Sequence, residues 1–184
     1  MASDLSGAKA ALRAAALAGR MAGGDAQALG ANLAAALAPH RGATLAGYWP
    51  MRGEPDPRPA MAAHDGPVCL PEVVAPATPL RFRLWRGEAL VPGVFGTSHP
   101  PESCPEVTPR VLIVPLAGFD AALNRLGYGG GFYDRTLAQL RGQGPVTAIG
   151  LAWAGQQVGP IPIEATDEPL DLLVTDCDIL APRM

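Results

Sequence analysis

The chain has 184 residues, of which 48% are hydrophobic and 17% are charged, a balance typical of one globular domain. A formal net charge of -3 gives no sign of the basic face that nucleic-acid binding requires. The three cysteines are widely spaced and form no CxxC pair, which excludes a disulfide framework and a zinc site: Cys69, Cys104 and Cys177. We therefore expect a single domain over residues 1–184, in a reducing cytoplasm, that binds neither nucleic acid nor membrane.

The N-terminal segment is rich in alanine, and its leucines have helical spacing, which predicts an amphipathic helix over Ala8–Met21. Its Ala- and Arg-rich composition also suits a transit peptide, an alternative that stays open. A second helix is predicted from an N-cap at Asp25 to Ala38, where Pro39 ends it. The first segment is neither a signal-peptide core nor a membrane span, because charges interrupt it at Asp4, Lys9, Arg13 and Arg20.

Short apolar runs follow, and they are typical of β-strands. Two of them, Val111–Leu116 and Val146–Trp153, are apolar without alternation, as expected for strands that are buried on both faces of a mainly parallel sheet. Two proline-rich segments, 55–59 and 92–109, are predicted to be surface loops. The remaining predicted strands are Thr44–Trp49, Val68–Leu70, Leu80–Trp85 and Leu170–Thr175.

The segment Arg125–Asp134 lies between those two buried runs and contains four glycines within five positions. Glycines let backbone N–H groups approach an anion, and a helix predicted over Tyr133–Arg141 adds its positive N-terminal end. Phe132 occupies the place of the last glycine of a dinucleotide motif, and no Walker Gly-Lys-Ser/Thr follows. A phosphate-binding loop is the preferred interpretation, and a purely structural turn is the alternative. Asp134 suits either the helix dipole or a magnesium ion.

The motif Pro115-x-x-x-Phe119-Asp120, followed by Arg125-Leu-Gly-Tyr-Gly-Gly-Gly-Phe-Tyr-Asp134, resembles the signature of 5-formyltetrahydrofolate cyclo-ligases. In that family P-x-x-x-F-D is followed by R-L-G-x-G-x-G-Y-Y-D. Further matching segments keep the family's order, so the resemblance spans nearly the whole chain: Lys9–Arg13, Tyr48–Glu54 and Asp167–Asp171.

The resemblance implies a three-layer α/β/α fold with a mainly parallel sheet, of the NagB/RpiA/CoA-transferase-like type. It also implies that ATP and Mg²⁺ are required to convert 5-formyltetrahydrofolate to 5,10-methenyltetrahydrofolate, with release of ADP and phosphate. A formamide oxygen is a poor leaving group, so its phosphorylation to an iminophosphate is expected to precede ring closure. Catalysis is then expected to depend on positioning and on neutralising phosphoryl charge.

The resemblance also assigns roles to residues. Arg125 and Lys9 are expected to be catalytic, and Asp134 and Asp167 to bind the metal. Glu54 is expected to accept hydrogen bonds from the amino-pterin edge, with Phe132 and Tyr133 as further substrate contacts. The expected ATP-binding residues are Lys9, Arg13, Arg125, Leu126, Gly127, Tyr128, Gly129, Gly130, Gly131, Phe132 and Tyr133.

The chain departs from the family pattern at four positions, namely Phe132 for Tyr, Leu123 for a common Gly, Thr166 for a common His, and His99 for an acid or amide. These departures leave open a non-catalytic folate-binding or regulatory protein. A phosphosugar isomerase or a CoA transferase with a catalytic Glu54 is a further alternative, because fold alone does not determine function. No sequence signal sets the oligomeric state, and a monomer is our expectation.

Overall fold

The structure, a computed structural model, describes the backbone of residues 2–182 and the side chains of residues 7–182. Its strands, in chain order, are β1 (Leu45–Ala46), β2 (Val68–Glu72), β3 (Arg81–Leu84), β4 (Val91–Pro92), β5 (Ser98–His99), β6 (Val111–Pro115), β7 (Gly118–Phe119), β8 (Arg125–Leu126), β9 (Thr147–Leu151), β10 (Leu172–Val174) and β11 (Ile179–Leu180). The helices are α1 (Ala2–Ala22), α2 (Ala26–Leu37), α3 (Arg58–Ala63) and α4 (Phe132–Gln143).

Seven strands form the central sheet, in the order β11-β10-β9-β6-β1-β2-β3. The five inner strands run parallel, and the edge strands β3 and β11 are antiparallel to their neighbours. Two further pairs, β4 with β5 and β7 with β8, form separate antiparallel hairpins. The prediction of a mainly parallel sheet is therefore confirmed.

Helices cover both faces of this sheet, as shown by the side chains of β6, which point alternately to the two faces. Leu112 and Val114 pack in one cluster with Leu137 of α4, whereas Val111 and Ile113 pack in a second cluster with α2 and α3. Because both faces of β6 are buried, its sequence is continuously apolar. The expected α/β/α layering is observed.

The two N-terminal helices agree with their predicted positions. The Asp25 side chain caps α2 by accepting hydrogen bonds from the backbone N–H groups of Gln27 and Ala28 at 2.9 and 3.0 Å. After α2, one 3₁₀ turn spans Ala38–His40, in which Pro39 occupies a first-turn position. Among the described residues, no helix combines the length and apolar character needed to cross a bilayer.

Both predicted proline-rich loops contain regular structure. Helix α3 starts at Arg58, inside the segment 55–59, because proline is tolerated in the first turn of a helix. The segment 92–109 contains most of the β4–β5 hairpin, with a 3₁₀ turn at Val94–Gly96 as its connection. The prediction of surface loops is therefore wrong where these segments form helix or strand.

The chain reverses direction across the sheet between β1 and β6. From β1 it proceeds to β2 and β3 on one side, and it then returns to place β6 on the other side. Loops that leave the carboxyl ends of β1 and β6 therefore diverge, and a cleft opens between them. Ligand sites of open α/β sheets lie in such clefts.

Helix α1 lies outside the two helical layers that cover the sheet, and it packs on the β7–β8 hairpin. Its residues Leu12 and Leu17 pack against Ala117, Leu126 and Ile161. A Cβ atom at Gly19 would clash with the backbone of residue 155, so this helix and a 3₁₀ turn at Ala154–Gln156 are in backbone contact. This packing places the positively charged face of α1 beside the segment that follows β8.

Asp120, from the Pro-x-x-x-Phe-Asp motif, organises the β7–β8 connection and is buried. Its carboxylate accepts hydrogen bonds from the backbone N–H groups of Ala122, Asn124 and Ile161 at 2.9 to 3.0 Å, and from the Asn124 side chain at 2.9 Å. Burial by itself raises the pKa of Asp120, but these hydrogen bonds outweigh it and hold the pKa below its usual value. This motif residue therefore has a structural role.

We expect Asp120→Asn to lower the free energy of unfolding by about 1–3 kcal/mol at pH 7, because an amide cannot accept from all four donors. The folded-state pKa is depressed, so the carboxylate contributes stability above about pH 4, and this contribution is lost as the pH falls further. Urea unfolding of both proteins from pH 3 to pH 8 measures the difference, which should shrink at acid pH. A constant difference would show that ionisation of Asp120 is irrelevant to stability.

Candidate active site

A cavity of about 660 Å³ lies at the carboxyl ends of the parallel strands, beside the cleft between β1 and β6. Its lining comes from the segment after β1, the end of β2, the β4–β5 hairpin, the end of β6 and the glycine segment before α4. The predicted site residues among this lining are Glu54, Arg125, Gly127, Tyr128, Gly130, Gly131, Phe132, Tyr133 and Asp134. The fold thus brings two separate segments of the cyclo-ligase-like pattern, the one that ends at Glu54 and the glycine segment, to one pocket.

Aromatic side chains form much of the cavity wall. Trp49 lines the cavity and packs edge-on against Trp85, with ring centroids 5.7 Å apart. Phe95 and Phe132 lie 6.1 Å apart at its mouth, and Phe95 is 61% exposed. Burial raises the pKa of Tyr133 well above its usual range, so this hydroxyl stays protonated. Flat apolar walls of this kind suit an aromatic ring system in the ligand.

The glycine segment has the backbone conformation that its composition predicts. Gly129 and Gly131 have φ values of +94° and +60°, in the left-handed region that favours glycine. Gly131 is the N-cap of α4 and supplies no side-chain cap, so the first N–H groups of this helix are free to serve an anion. Arg13, on α1, donates from Nε to the Gly127 carbonyl at 2.8 Å and holds the segment from the opposite side.

Arg125 and Asp134 form an ion pair at the start of α4. The Asp134 carboxylate also accepts from the backbone N–H of Glu168 at 3.1 Å, which ties it to the segment that contains Asp167. The Arg125 side chain is 7% exposed, yet it lines the cavity. A cation and a carboxylate therefore lie side by side where the glycine segment meets the pocket.

Lys9 and Asp167 form a second pair, at 3.1 Å, and Lys9 also contacts Glu164 at 2.7 Å. Burial lowers the pKa of Lys9, but the hydrogen bonds to these two carboxylates outweigh it, and the net pKa is raised. Neither Lys9 nor Asp167 lines the cavity. Of the predicted group Lys9, Arg13, Asp134 and Asp167, only Asp134 lines the cavity. Asp134 is connected to the segment that contains Asp167 through the Glu168 N–H.

Three arginines around the glycine segment each retain a buried donor. Within the described part of the chain, the side-chain nitrogen and oxygen atoms that are buried without a hydrogen-bond partner are the Nε atoms of Arg20, Arg125 and Arg135. Arg135 also donates from Nη2 to the Gly130 carbonyl and lies over the Phe132 ring at 5.8 Å. Buried donors without acceptors are rare, and their clustering here favours an anionic ligand.

Arg20 and Arg135 were not among the predicted site residues. A signal for Arg20 exists in the sequence, because Lys9, Arg13 and Arg20 have i, i+4 and i+11 spacing, which places all three on one face of a helix. Arg135 follows Asp134 in the first turn of α4 and carries no comparable pattern. Its contact with Gly130 depends on the left-handed turn of the glycine segment.

Leu123, at a position where relatives commonly have glycine, has a φ of +64°. A non-glycine residue in this left-handed conformation costs about 1–2 kcal/mol. Its side chain is 7% exposed and packs in the cluster that contains Phe119 and Leu137, so burial offsets that cost. This departure from the family pattern changes packing and leaves the cavity lining untouched.

The family model of the 5-formyltetrahydrofolate cyclo-ligase family matches residues 8–176. The chain belongs to this family. Curated proteins named 5-formyltetrahydrofolate cyclo-ligase from Haemophilus influenzae and Escherichia coli are 44% identical over 85 residues and 46% identical over 65 residues. These matches cover 44% and 35% of this chain, and 45% and 35% of the relatives, so less than half of each relative's length is matched.

Solved structures extend the likeness over almost the entire chain. The Aquifex aeolicus 5,10-methenyltetrahydrofolate synthetase superposes with a TM-score of 0.75 at 26% identity, over 96% of this chain and 93% of that protein. The Mycoplasma pneumoniae 5,10-methenyltetrahydrofolate synthetase superposes with a TM-score of 0.68 at 27% identity, over 91% and 98%. The cyclo-ligase family and its fold, expected from the motifs, are both confirmed.

We expect Gly131→Ala to weaken binding of the anionic probe pyrophosphate by about tenfold. The reason is that a Cβ at φ +60° strains the turn and would lie 3.0 Å from Arg135 Nη1, which displaces the first N–H groups of α4. Titration calorimetry measures this affinity. The matched control is Gly142→Ala in the same helix, where a Cβ meets nothing within 4 Å. Equal affinities in the two variants would contradict an anion-binding role for this turn.

Proposed function

We propose that this protein catalyses the ATP- and Mg²⁺-dependent cyclisation of 5-formyltetrahydrofolate to 5,10-methenyltetrahydrofolate, releasing ADP and phosphate. The observation that carries the proposal is the cavity that combines a glycine-rich helix N-terminus, the Arg125–Asp134 pair and, across an aromatic wall, Glu54. The family assignment and the two structural relatives support the same activity. We further propose a monomeric, cytoplasmic enzyme.

The residues around the glycine segment suit the polyphosphate of ATP. Gly129 and Gly131 adopt left-handed backbone conformations that favour glycine. A Cβ at position 130 would collide with the Phe132 ring. The backbone of this segment is therefore not covered by side chains of its own. Arg125 lines the cavity and Arg135 donates to the Gly130 carbonyl, so both guanidinium groups add positive charge beside the glycine segment. This combination of backbone N–H groups with guanidinium donors matches the chemistry of a phosphate chain.

Asp134 and Asp167 are the carboxylates that would hold magnesium. Magnesium commonly takes one or two protein carboxylates together with substrate phosphates and water. Within the described residues, no group of three or more His, Cys, Asp or Glu side chains is arranged to hold an ion. When bound, the metal would supply charge neutralisation at the phosphates.

The chemistry that follows requires positioning more than covalent participation by the protein. The formyl oxygen attacks the γ-phosphorus of ATP and ADP leaves, which forms an iminophosphate. The anilino nitrogen of folate then attacks the formyl carbon, loses its proton, and phosphate departs with the formyl oxygen. Arg125, which lines the cavity, is proposed to stabilise the transferring phosphoryl group, and Lys9 is proposed to assist from α1.

The opposite wall of the cavity is proposed to hold the folate. Glu54 accepts a hydrogen bond from the Met51 N–H at 3.0 Å and one from Tyr128, and its remaining lone pairs can accept from an amino-pterin edge. Trp49, Phe132 and Tyr133 offer surfaces for the pterin or benzoyl ring. Phe132 has no hydroxyl, so its proposed contribution is packing.

We expect purified protein to form methenyl product from 5-formyltetrahydrofolate only when Mg²⁺ and ATP are both present, with one ADP released for each product. Asp134→Asn should reduce kcat by about 100-fold or more, because it removes the carboxylate that pairs with Arg125 and would bind the metal. Product absorbance and ADP release, recorded together, measure both quantities.

The matched control for this experiment is Asp65→Asn. The Asp65 carboxylate is exposed and lies outside the cavity lining. This substitution should leave kcat unchanged. Folate binding without ATP hydrolysis would instead favour a non-catalytic folate-binding protein. Activity toward a phosphosugar or a CoA ester, with no methenyl formation, would favour the other functions known on this fold.

A further inference from the structure

A buried arginine, Arg20, reaches from α1 to the rim of the cavity. It is 1% exposed. Its Nη1 donates to the Tyr128 hydroxyl oxygen at 2.5 Å, and its Nη2 donates to the Leu116 carbonyl at 2.6 Å. The guanidinium carbon also lies 5.4 Å from the centre of the Tyr128 ring. Arg20 therefore fixes the position of the Tyr128 side chain by its hydroxyl and by its ring face.

The Tyr128 hydroxyl passes this constraint on to Glu54. It donates to Glu54 Oε1 at 2.5 Å, while Glu54 Oε2 accepts from the Met51 N–H at 3.0 Å. One hydrogen bond on each oxygen sets the orientation of the carboxylate plane. An ionised carboxylate has about four acceptor positions, so two remain available to a ligand in the cavity.

The direction of these hydrogen bonds is determined by chemistry. A guanidinium group has only donors, so the Tyr128 oxygen must accept from Arg20, and the hydroxyl proton is then free to serve Glu54. Burial, followed by the bond to Glu54, raises the pKa of Tyr128 to about 12, so this proton is retained at neutral pH. The chain Arg20–Tyr128–Glu54 can therefore form with one arrangement of protons only.

The contact with the Leu116 carbonyl does not by itself account for a buried arginine at position 20. The Leu116 carbonyl already accepts from Gln156 Nε2 at 3.0 Å, so it would be satisfied without the arginine. A buried guanidinium is expensive to desolvate, and here its Nε has no partner. The hydrogen bond to the Tyr128 hydroxyl, in contrast, has no donor other than Arg20 among the described residues.

We propose that Arg20 and Tyr128 are positioning residues that hold the Glu54 carboxylate in the orientation that captures the folate. This inference rests on the proposed function, in which Glu54 binds the amino-pterin edge. It assigns Tyr128 a side-chain role in addition to the backbone role expected for the glycine segment. Neither residue touches the reacting atoms, and both act through Glu54.

The first test is Tyr128→Phe, which removes the hydroxyl and keeps the ring. Tyr128 is 41% exposed, so folding should be preserved. We expect the KM for 5-formyltetrahydrofolate to rise about tenfold, kcat to change little, and the KM for ATP to stay within about twofold, because the lost orientation affects ground state and transition state alike. A matched control is Arg86→Gln on the exposed surface, which should leave all three constants unchanged.

The second test is Arg20→Lys, which keeps the positive charge but shortens the donor. If Arg20 acts through Tyr128, this change raises the folate KM in the unaltered chain and adds no further increase in the Tyr128→Phe background. Should Arg20→Lys fail to fold, Tyr128→Phe decides alone. If the KM for folate and the KM for ATP rise together, Tyr128 acts through the ATP-binding backbone of the glycine segment, and the inference is overturned.

The outcomes separate this inference from the proposed function. Normal turnover by the unaltered chain, with an unchanged folate KM in Tyr128→Phe, overturns only the positioning role. If the unaltered chain neither turns over nor binds 5-formyltetrahydrofolate in a calorimeter, the proposed function fails, and the positioning role fails with it.

Discussion

The point where β6 leaves the sheet imposes the constraint on which the site depends. At Leu116 and Ala117 the chain has left the pairing of β6 with β9, and both carbonyls accept hydrogen bonds from side chains. Gln156 donates to both at 3.0 and 2.8 Å, and Arg20 also donates to Leu116. These contacts join α1, the 3₁₀ turn after β9 and the end of β6. The β7–β8 hairpin and the glycine segment are built on that junction.

Two of the cations near the site have an acid beside them. Arg125 pairs with Asp134, and Lys9 pairs with Asp167. Each pair offers a donor suited to phosphate and an oxygen suited to a hard metal ion, while the neighbouring wall is aromatic. This division suits the proposed reaction, in which one phosphoryl group passes from ATP to the formyl oxygen of a folate.

Local sequence signals predicted the framework of the protein well. Unalternating apolar runs indicated β6 and β9, the Asp25 cap and Pro39 bounded α2, and clustered glycines marked a left-handed turn before α4. The loop prediction from proline content was wrong for the segment 55–59, because α3 begins within it at Arg58. Asp120 belongs to a recognisable motif, but its hydrogen bond to the Ile161 N–H spans 41 residues and required the fold.

The sequence by itself predicted a mainly parallel sheet, the family and the glycine segment, because apolar runs and motifs can be recognised without knowing which distant residues are in contact. Tertiary structure alone decided which charged residues act together. Arg20 and Tyr128 are separated by 108 positions, and Tyr128 and Glu54 by 74, yet they form one line of hydrogen bonds. Such contacts arise from the packing of α1 across the carboxyl edge of the sheet, and no local spacing encodes that packing.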